Sequence, residues 1–173
     1  MEHVATTLER EGEALEQLLF KLVETKLLLE AGEARFLPRA TREVERARAR
    51  CRELDLLRAA TVARLETTET LRAIAAAAPS PWPAILRDHH EVLSRLVAEI
   101  ELVAHHNALA AGEGLAALSR EPVGAGVRGA GGTTAVRPVR NEELDRLARG
   151  AALDAVLGTA ARLRMPDLID FLR

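Results

Sequence analysis

The sequence has few of the residue types on which many kinds of site depend. It contains no tyrosine and a single cysteine, and aromatic side chains make up 2% of its 173 residues. Deep ligand pockets are usually lined with aromatic rings, so this scarcity argues against such a pocket. One cysteine excludes an internal disulfide, and Cys51 falls on an apolar stripe. We therefore interpret Cys51 as a small buried hydrophobic residue rather than a reactive thiol.

Long apolar runs and a strong net charge are also missing. No stretch of about 20 apolar residues is present, so the sequence predicts no membrane insertion. Residues 1–13 lack the apolar segment of a signal peptide, and we expect a cytoplasmic protein. The net charge of −2 gives no overall attraction to nucleic acid. An arginine stripe without stacking aromatics is interpreted as a solvated face rather than a nucleic-acid interface: Arg39, Arg42, Arg46 and Arg50.

Sequence motifs for catalysis are absent as well. The chain has no Gly-x-Ser-x-Gly, no phosphate-binding glycine loop and no Cys-x-x-Cys, so it predicts neither an enzyme nor a cofactor. Seven residues of one helical segment are candidate metal ligands: Asp88, His89, His90, Glu91, Glu101, His105 and His106. Neighbouring histidines face different sides of a helix, and the Glu-x-x-His spacing of di-iron bundles is missing. We therefore predict no metal site.

Leucines at seven-residue intervals dominate the first part of the chain. The set is Leu8, Leu15, Leu22, Leu29 and Phe36. This spacing predicts a helix over residues 4–31 that packs along a neighbour, with Gly32 as its end. Phe20, Val23 and Leu27 form a second apolar stripe, which predicts that more than one partner helix covers this one.

A second helix is predicted over residues 38–66, with Pro38 in its first turn. Two heptad series give it an apolar face: Leu37, Val44, Cys51 and Ala40, Ala47, Leu54. Folding back at Gly32 makes an antiparallel hairpin and brings an acidic run near three arginines. The groups are Glu9, Glu11, Glu13, Glu16 and Arg50, Arg52, Arg58. We expect exposed ion pairs there, each worth about 0–1 kcal/mol.

A third long helix is predicted over residues 84–111, after a break at 66–69 and a short helix at 71–77. Trp82, within a proline-rich stop, is expected to seal the end of the bundle; a contact with a partner is the alternative. Leu86, Leu93 and Ile100 continue by heptads to Asn107. A buried amide at such a position is expected to fix helix register.

Glycine and proline mark the boundary of the last part of the chain. Residues 119–140 read as a flexible linker. A helix is predicted over 141–164, followed by a short apolar segment. The helix face is Leu144, Leu147, Leu153, Val156 and Leu157. The expected fold is an all-α, elongated antiparallel three-helix bundle or coiled coil (1–118) with a flexible linker (119–140) and a C-terminal helical tail (141–173).

A bundle of three long helices leaves apolar grooves between them, and an amphipathic helix of a partner can bind in such a groove. We predict such a protein-binding groove beside Leu86, Leu93, Val97, Ile100, Val103 and Asn107. The tail residues Leu168, Ile169, Phe171 and Leu172 are predicted to occupy it when no partner is bound. The alternative is a homo-oligomeric coiled-coil scaffold or adaptor with no client.

Residues 18–45 resemble a known family. The matching residues are Leu18-Leu19-Phe20-Lys21-Leu22, Leu27-Leu28-Leu29, Gly32, Arg35, Leu37 and Arg42-Glu43-Val44-Glu45. They resemble the start of FlgN-like flagellar export chaperones of the actinobacterial branch, and the likeness covers roughly the first 118 positions and becomes weak across the linker and tail. It implies a cytosolic chaperone that binds the terminal helices of hook-associated proteins and brings them to an export gate component. Better-known members use a tyrosine-bearing C-terminal segment at the gate, which a chain without tyrosine cannot supply.

Overall fold

Six α-helices account for most of the part of the chain that the structure describes. The computed structural model describes residues 1–65, 70–120 and 139–173. Its helices are α1 (Glu2–Glu30), α2 (Leu37–Ala63), α3 (Leu71–Ala77), α4 (Trp82–Arg120), α5 (Val139–Ala161) and α6 (Pro166–Leu172). Those ranges contain no strand, so the all-α prediction is confirmed. The predicted break at 66–69 and residues 121–138 of the predicted linker lie outside the described residues. The ends of that linker, 119–120 and 139–140, are helical, so its predicted bounds were wrong there.

The helices α1 and α2 form the predicted antiparallel hairpin. Gly32 adopts a φ of 68°, which glycine reaches without steric cost, and a 3-10 turn, Ala34–Phe36, leads into α2. Pro38 lies in the first turn of α2, where its missing N–H leaves no hydrogen bond unmade. Lys21 Nζ lies 2.6 Å from Glu43 Oε2, joining the two helices near the turn.

The helix α4 is longer than predicted. It begins at Trp82, whose partly buried ring packs against the core, and ends at Arg120 rather than near residue 111. The additional turns include Gly112 and Gly114, although glycine costs about 1 kcal/mol inside a helix. Packing against α5 holds this region: a Cβ added to Gly114 would lie 3.0 Å from Leu153.

Four long helices share the bundle, in which α1 contacts α2 and α4, and α5 contacts α2 and α4. Cys51 of α2 meets Ala14 of α1, whereas Asn107 of α4 meets Leu22 of α1. The helices α1 and α4 run parallel to each other and antiparallel to α2 and α5. The sequence predicted three long helices in this bundle, and α5 adds a fourth, because its buried residues complete the core: Ala152, Leu153 and Val156.

The apolar face predicted for α5 is only partly buried. Leu153 and Val156 lie in the core and Leu157 packs against it, but Leu144 and Leu147 are exposed. That prediction was wrong for the first turns of α5. The core contacts of the helix begin at Ala152, where it lies beside both α4 and the turn at the start of α2.

Candidate helix-binding groove and the C-terminal segment that fills it

The residues predicted to line a groove on α4 face the interior of the bundle. Leu86, Leu93, Val97 and Ile100 are buried, and Val103 is partly buried and packs against them. Their three- and four-residue spacing places them on one side of α4, where they meet apolar residues of α1. The predicted groove is therefore not open along this side of α4, because α1 of the same chain covers these residues.

The short helix α6 brings the predicted tail residues to the same place. Leu168, Phe171 and Leu172 are buried, and Ile169 packs against them from a half-buried position. They belong to one apolar cluster with the α4 groove residues, and α6 contacts both α3 and α4. The cluster also includes residues of α1, α2 and α3, and the polar contact between α6 and α4 lies near the start of α4, at His90.

Two polar contacts hold α6 in addition to its apolar side chains. The His90 Nε2–H donates a hydrogen bond of 2.7 Å to the carbonyl oxygen of Leu172. The guanidinium of Arg58 lies 4.3 Å from the centre of the Phe171 ring, a cation–π contact between α2 and α6. Each contact joins a side chain of the bundle to the last turn of α6.

A buried ion pair lies beneath the Phe171 ring. Arg58 Nε lies 3.1 Å from Glu11 Oε2 and donates a hydrogen bond of 3.2 Å to Oε1, while Asp55 pairs with the outer face of the guanidinium. Glu11 and Arg58 are both buried, whereas the sequence analysis expected exposed pairs. Burial raises the pKa of Glu11 to about 7, although the neighbouring Arg58 charge acts to lower it.

The burial of this pair could have been found from the sequence. Glu11 falls between Leu8 and Leu15 at the three- and four-residue spacing of the α1 seam, and Arg58 follows Leu54 by four residues on the α2 seam. Charged residues at such positions must be paired when they are buried. The signal was missed because both residues were grouped with their exposed neighbours.

A cavity of about 150 Å³ lies beside the ion pair, under the connection from α5 to α6. Its wall includes Glu11 and Cys51 from the hairpin and Leu163, Met165 and Leu168 from the C-terminal segment. Burial raises the pKa of the Cys51 thiol to about 12, and the Sγ–H donates to the Ala14 carbonyl at 3.4 Å. These contacts support the interpretation of Cys51 as a buried, protonated residue.

Asn107 lies where the heptad series placed it, buried between α4 and α1. Its Nδ2–H donates a hydrogen bond of 2.9 Å to the carbonyl oxygen of Leu22, and its Oδ1 accepts none from any described residue. This contact shows that Asn107 lies beside Leu22 where α4 runs along α1. The expected role in register stays a prediction, tested below.

The remaining candidates are not brought together into a site. Within residues 1–65, 70–120 and 139–173, no three His, Cys, Asp or Glu side chains are grouped so that they could hold a metal ion. The four arginines of the α2 stripe are all exposed, and Arg39 and Arg50 pair with Glu43 and Glu53 of their own helix. In the same ranges no helix combines the length and apolarity that crossing a membrane requires.

The second apolar stripe of α1 is exposed, contrary to the prediction that other helices cover it. Phe20 is 61% and Leu27 59% accessible, with Val23 between them. On the adjacent helix α4, Leu102 and Leu109 are 55% and 53% accessible. These five side chains are named the α1/α4 face below. The prediction failed because α2 and α4 cover only the inward-facing seam of α1 and its flanks.

Comparison with known proteins returns no relative of this chain. No protein-family model matches it, and no curated protein or solved structure is significantly similar to it. The groove, the segment that fills it and the α1/α4 face are therefore the features from which a function can be argued.

Proposed function

We propose that the chain is a cytosolic flagellar export chaperone of the FlgN-like kind. In this proposal a terminal helix of a hook-associated protein binds in the groove that α6 fills. The observation that supports the proposal is the packing of α6, a short and separate helix, against α3 and α4 through buried apolar side chains, as an amphipathic guest would pack. The resemblance of residues 18–45 supplies the class of guest.

The size of α6 makes it replaceable. It has seven residues and follows a break after Ala161, and isolated helices of that length are not stable in water. Its helical form therefore depends on the groove. A longer guest helix with leucine and an aromatic residue at matching positions would make the same contacts and extend them, so it would compete with α6.

Delivery to an export gate component is part of the same proposal. The chain has no tyrosine, so its gate contact must use other residues than the tyrosine-bearing segment of better-known members. The groove itself contributes nothing to that contact while a guest fills it. The exposed side chains of the bundle remain available for contact with the gate component whether α6 or a guest lies in the groove.

The proposal is tested by titrating the full chain with C-terminal helical segments of hook-associated proteins from the same organism, using calorimetry. One-to-one binding is expected. A double variant, Leu168→Ser with Leu172→Ser, weakens the docking of α6 and should raise the guest's affinity about tenfold, because less free energy is spent on displacing the tail. Point variants are preferable to deleting 141–173, which would also remove Leu153 and Val156 from the core.

The matched control is Asp170→Ser, because Asp170 lies on the exposed side of the same helix. This variant should bind the guest as the parent does. Weaker guest binding by the double variant would show that α6 belongs to the clamp rather than competing with the guest. Failure of the parent chain to bind any hook-associated segment would refute the chaperone proposal.

The second candidate function is a homo-oligomeric scaffold without a client. The exposed Phe20 and Leu27 favour it, since a second copy of the chain could cover them. Sedimentation of the client-free chain separates the two proposals. A stable oligomer that ignores hook-associated segments supports the scaffold, and a monomer that gains one guest supports the chaperone.

A further inference from the structure

The α1/α4 face lies on the side of the bundle away from α2 and α5. Phe20, Val23 and Leu27 recur at three- and four-residue spacing, so they project from one side of α1. Leu102 and Leu109 are separated by a heptad on α4, whose inward side is occupied by Leu93, Ile100 and the other buried residues. None of the described helices covers these five side chains.

The two stripes lie at the same level of the bundle. The hydrogen bond between Asn107 and the Leu22 carbonyl fixes the parallel register of α4 and α1. Val23 is adjacent to Leu22, and Leu109 is two residues beyond Asn107. Each stripe spans seven residues, or about 10 Å along its helix. Leu19 of α1 and Val103 of α4, both partly buried and packed on the core, lie between the stripes.

The surroundings of this face are acidic. The helix α1 carries seven glutamates against three basic residues, and α4 carries five acidic residues against three arginines. Exposed carboxylates lie near the ends of the stripes, at Glu13, Glu16, Glu99 and Glu113. Two cations lie among them: Lys21 over the Phe20 ring and Arg95, which pairs with Glu99. The helix α2 has the opposite balance, with seven arginines against four acidic residues. The apolar stripes therefore lie on two helices of net negative charge, whereas α2 has a net positive charge.

We propose that the α1/α4 face binds an amphipathic helix of a partner protein, apolar along one side and flanked by lysine or arginine. The exposed stripes of α1 and α4, with partly buried residues between them, form a surface on which two to three turns of such a helix can pack. The acidic rim attracts basic flanks and repels nucleic acid and anionic lipid. This site is separate from the groove under α6 and does not depend on the export function.

The proposal is tested with two labelled helical peptides of about 18 residues, which are each about 27 Å long. One carries leucine on one side and lysine on the other, and its twin carries glutamate in place of lysine. Fluorescence anisotropy against the full chain should show binding of the Leu/Lys peptide, at least about tenfold tighter than that of the Leu/Glu peptide. Raising the salt from about 50 to about 500 mM should weaken it.

Matched surface variants locate the site. Phe20→Ser with Leu27→Ser, and separately Leu102→Ser with Leu109→Ser, should each weaken Leu/Lys binding about tenfold or more. Leu144→Ser with Leu147→Ser changes an equally exposed apolar pair on α5 and should leave binding within about twofold. All six residues are exposed, so circular dichroism should show that each variant folds. Glu13→Gln with Glu16→Gln should weaken binding without changing the apolar stripes.

Three results would overturn the proposal. The first is equal binding of the two peptides, and the second is equal weakening by the α5 variant, which would indicate unspecific adhesion. The third is a concentration-dependent increase of mass in sedimentation, abolished by Phe20→Ser with Leu27→Ser, in a chain that binds neither peptide. That result would assign the face to contacts between copies of the chain.

Discussion

The guanidinium of Arg58 lies 4.3 Å from the centre of the Phe171 ring, directly above a buried carboxylate, Glu11. One arginine of α2 thus links the hairpin that begins the chain to the helix that ends it. The contact places the Glu11–Arg58 pair under an aromatic ring that belongs to α6, a helix of seven residues. Whatever displaces α6 also changes the surroundings of Glu11.

Replacing Phe171 should loosen α6 while leaving the bundle folded. Phe171→Leu keeps most of the apolar volume but loses the contact with Arg58, worth about 0.5–2 kcal/mol when shielded from water. The equilibrium constant for release of α6 from the bundle should rise about tenfold. Native-state hydrogen exchange at the amide of Ile169, which bonds to the Met165 carbonyl, measures it. Asp170→Asn is the control, and unchanged Ile169 protection in Phe171→Leu would contradict the prediction.

Glu11 should give the protein a pH dependence near neutrality. Its pKa is raised from 4.5 to about 7 in the folded state, mainly by burial. The folded state therefore keeps a proton that the unfolded state has lost. The stability that this proton contributes is fully present below about 4.5 and is lost as the pH rises through about 7.

The measurement is urea unfolding of the parent and Glu11→Gln between pH 5 and 8. The parent should lose stability relative to the variant as the pH rises, since the amide cannot ionise. Arg58 keeps Asp55 as a partner in the variant, so the variant is expected to fold. A stability difference that does not change with pH would show that Glu11 is ionised throughout.

We expect Asn107 to lower the free energy of unfolding while it fixes the register of α4 against α1. Asn107→Leu removes an acceptor, Oδ1, that is buried without a partner, and it fills the same space with apolar atoms. The free energy of unfolding should rise by about 1 kcal/mol, measured with urea. The accompanying loss of a fixed register should appear in sedimentation as altered oligomeric state, or in titration as altered partner affinity. No change in either quantity would refute the register role.

Two neighbouring glycines of α4 should respond differently to alanine. Gly112 has no atom within 4 Å of an added Cβ, so Gly112→Ala should stabilise the protein by about 1 kcal/mol through helix propensity. Gly114→Ala gains the same propensity but places its Cβ 3.0 Å from Leu153, so it should be the less stable variant. Thermal unfolding compares them. Equal stabilisation would show that α5 does not pack closely against α4.

The long helices could be predicted from the sequence because their seams follow heptads. Leu8, Leu15 and Leu22 in α1, and Leu86, Leu93 and Ile100 in α4, are all buried. Each heptad series reflects the contact of one helix with one neighbour. The spacing of apolar residues along the sequence is enough to predict such a contact. The turn at Gly32 was predictable for the same reason, because its positive φ is a local property of the backbone.

The position of α5 and the exposed stripe could not be predicted in this way. Whether Leu153 is buried and Leu147 exposed depends on where α5 lies along α4, and no local pattern fixes that level. Phe20 and Leu27 are apolar, but their burial depends on how many helices surround α1. The burial of Leu168, Phe171 and Leu172 agrees with the dense apolar content of the tail, but the sequence does not specify which part of α4 they contact.

The position of Cys51 in the cavity wall makes its thiol a natural probe for the release of the segment that leads into α6. The thiol lies in the wall of that cavity together with Leu163, Met165 and Leu168, all from the segment that leads into α6. A maleimide dye can reach the sulfur once this segment lifts. Because Cys51 is the sole cysteine, the rate of labelling measures the release of this segment without an engineered probe. A guest that displaces the segment would increase that rate.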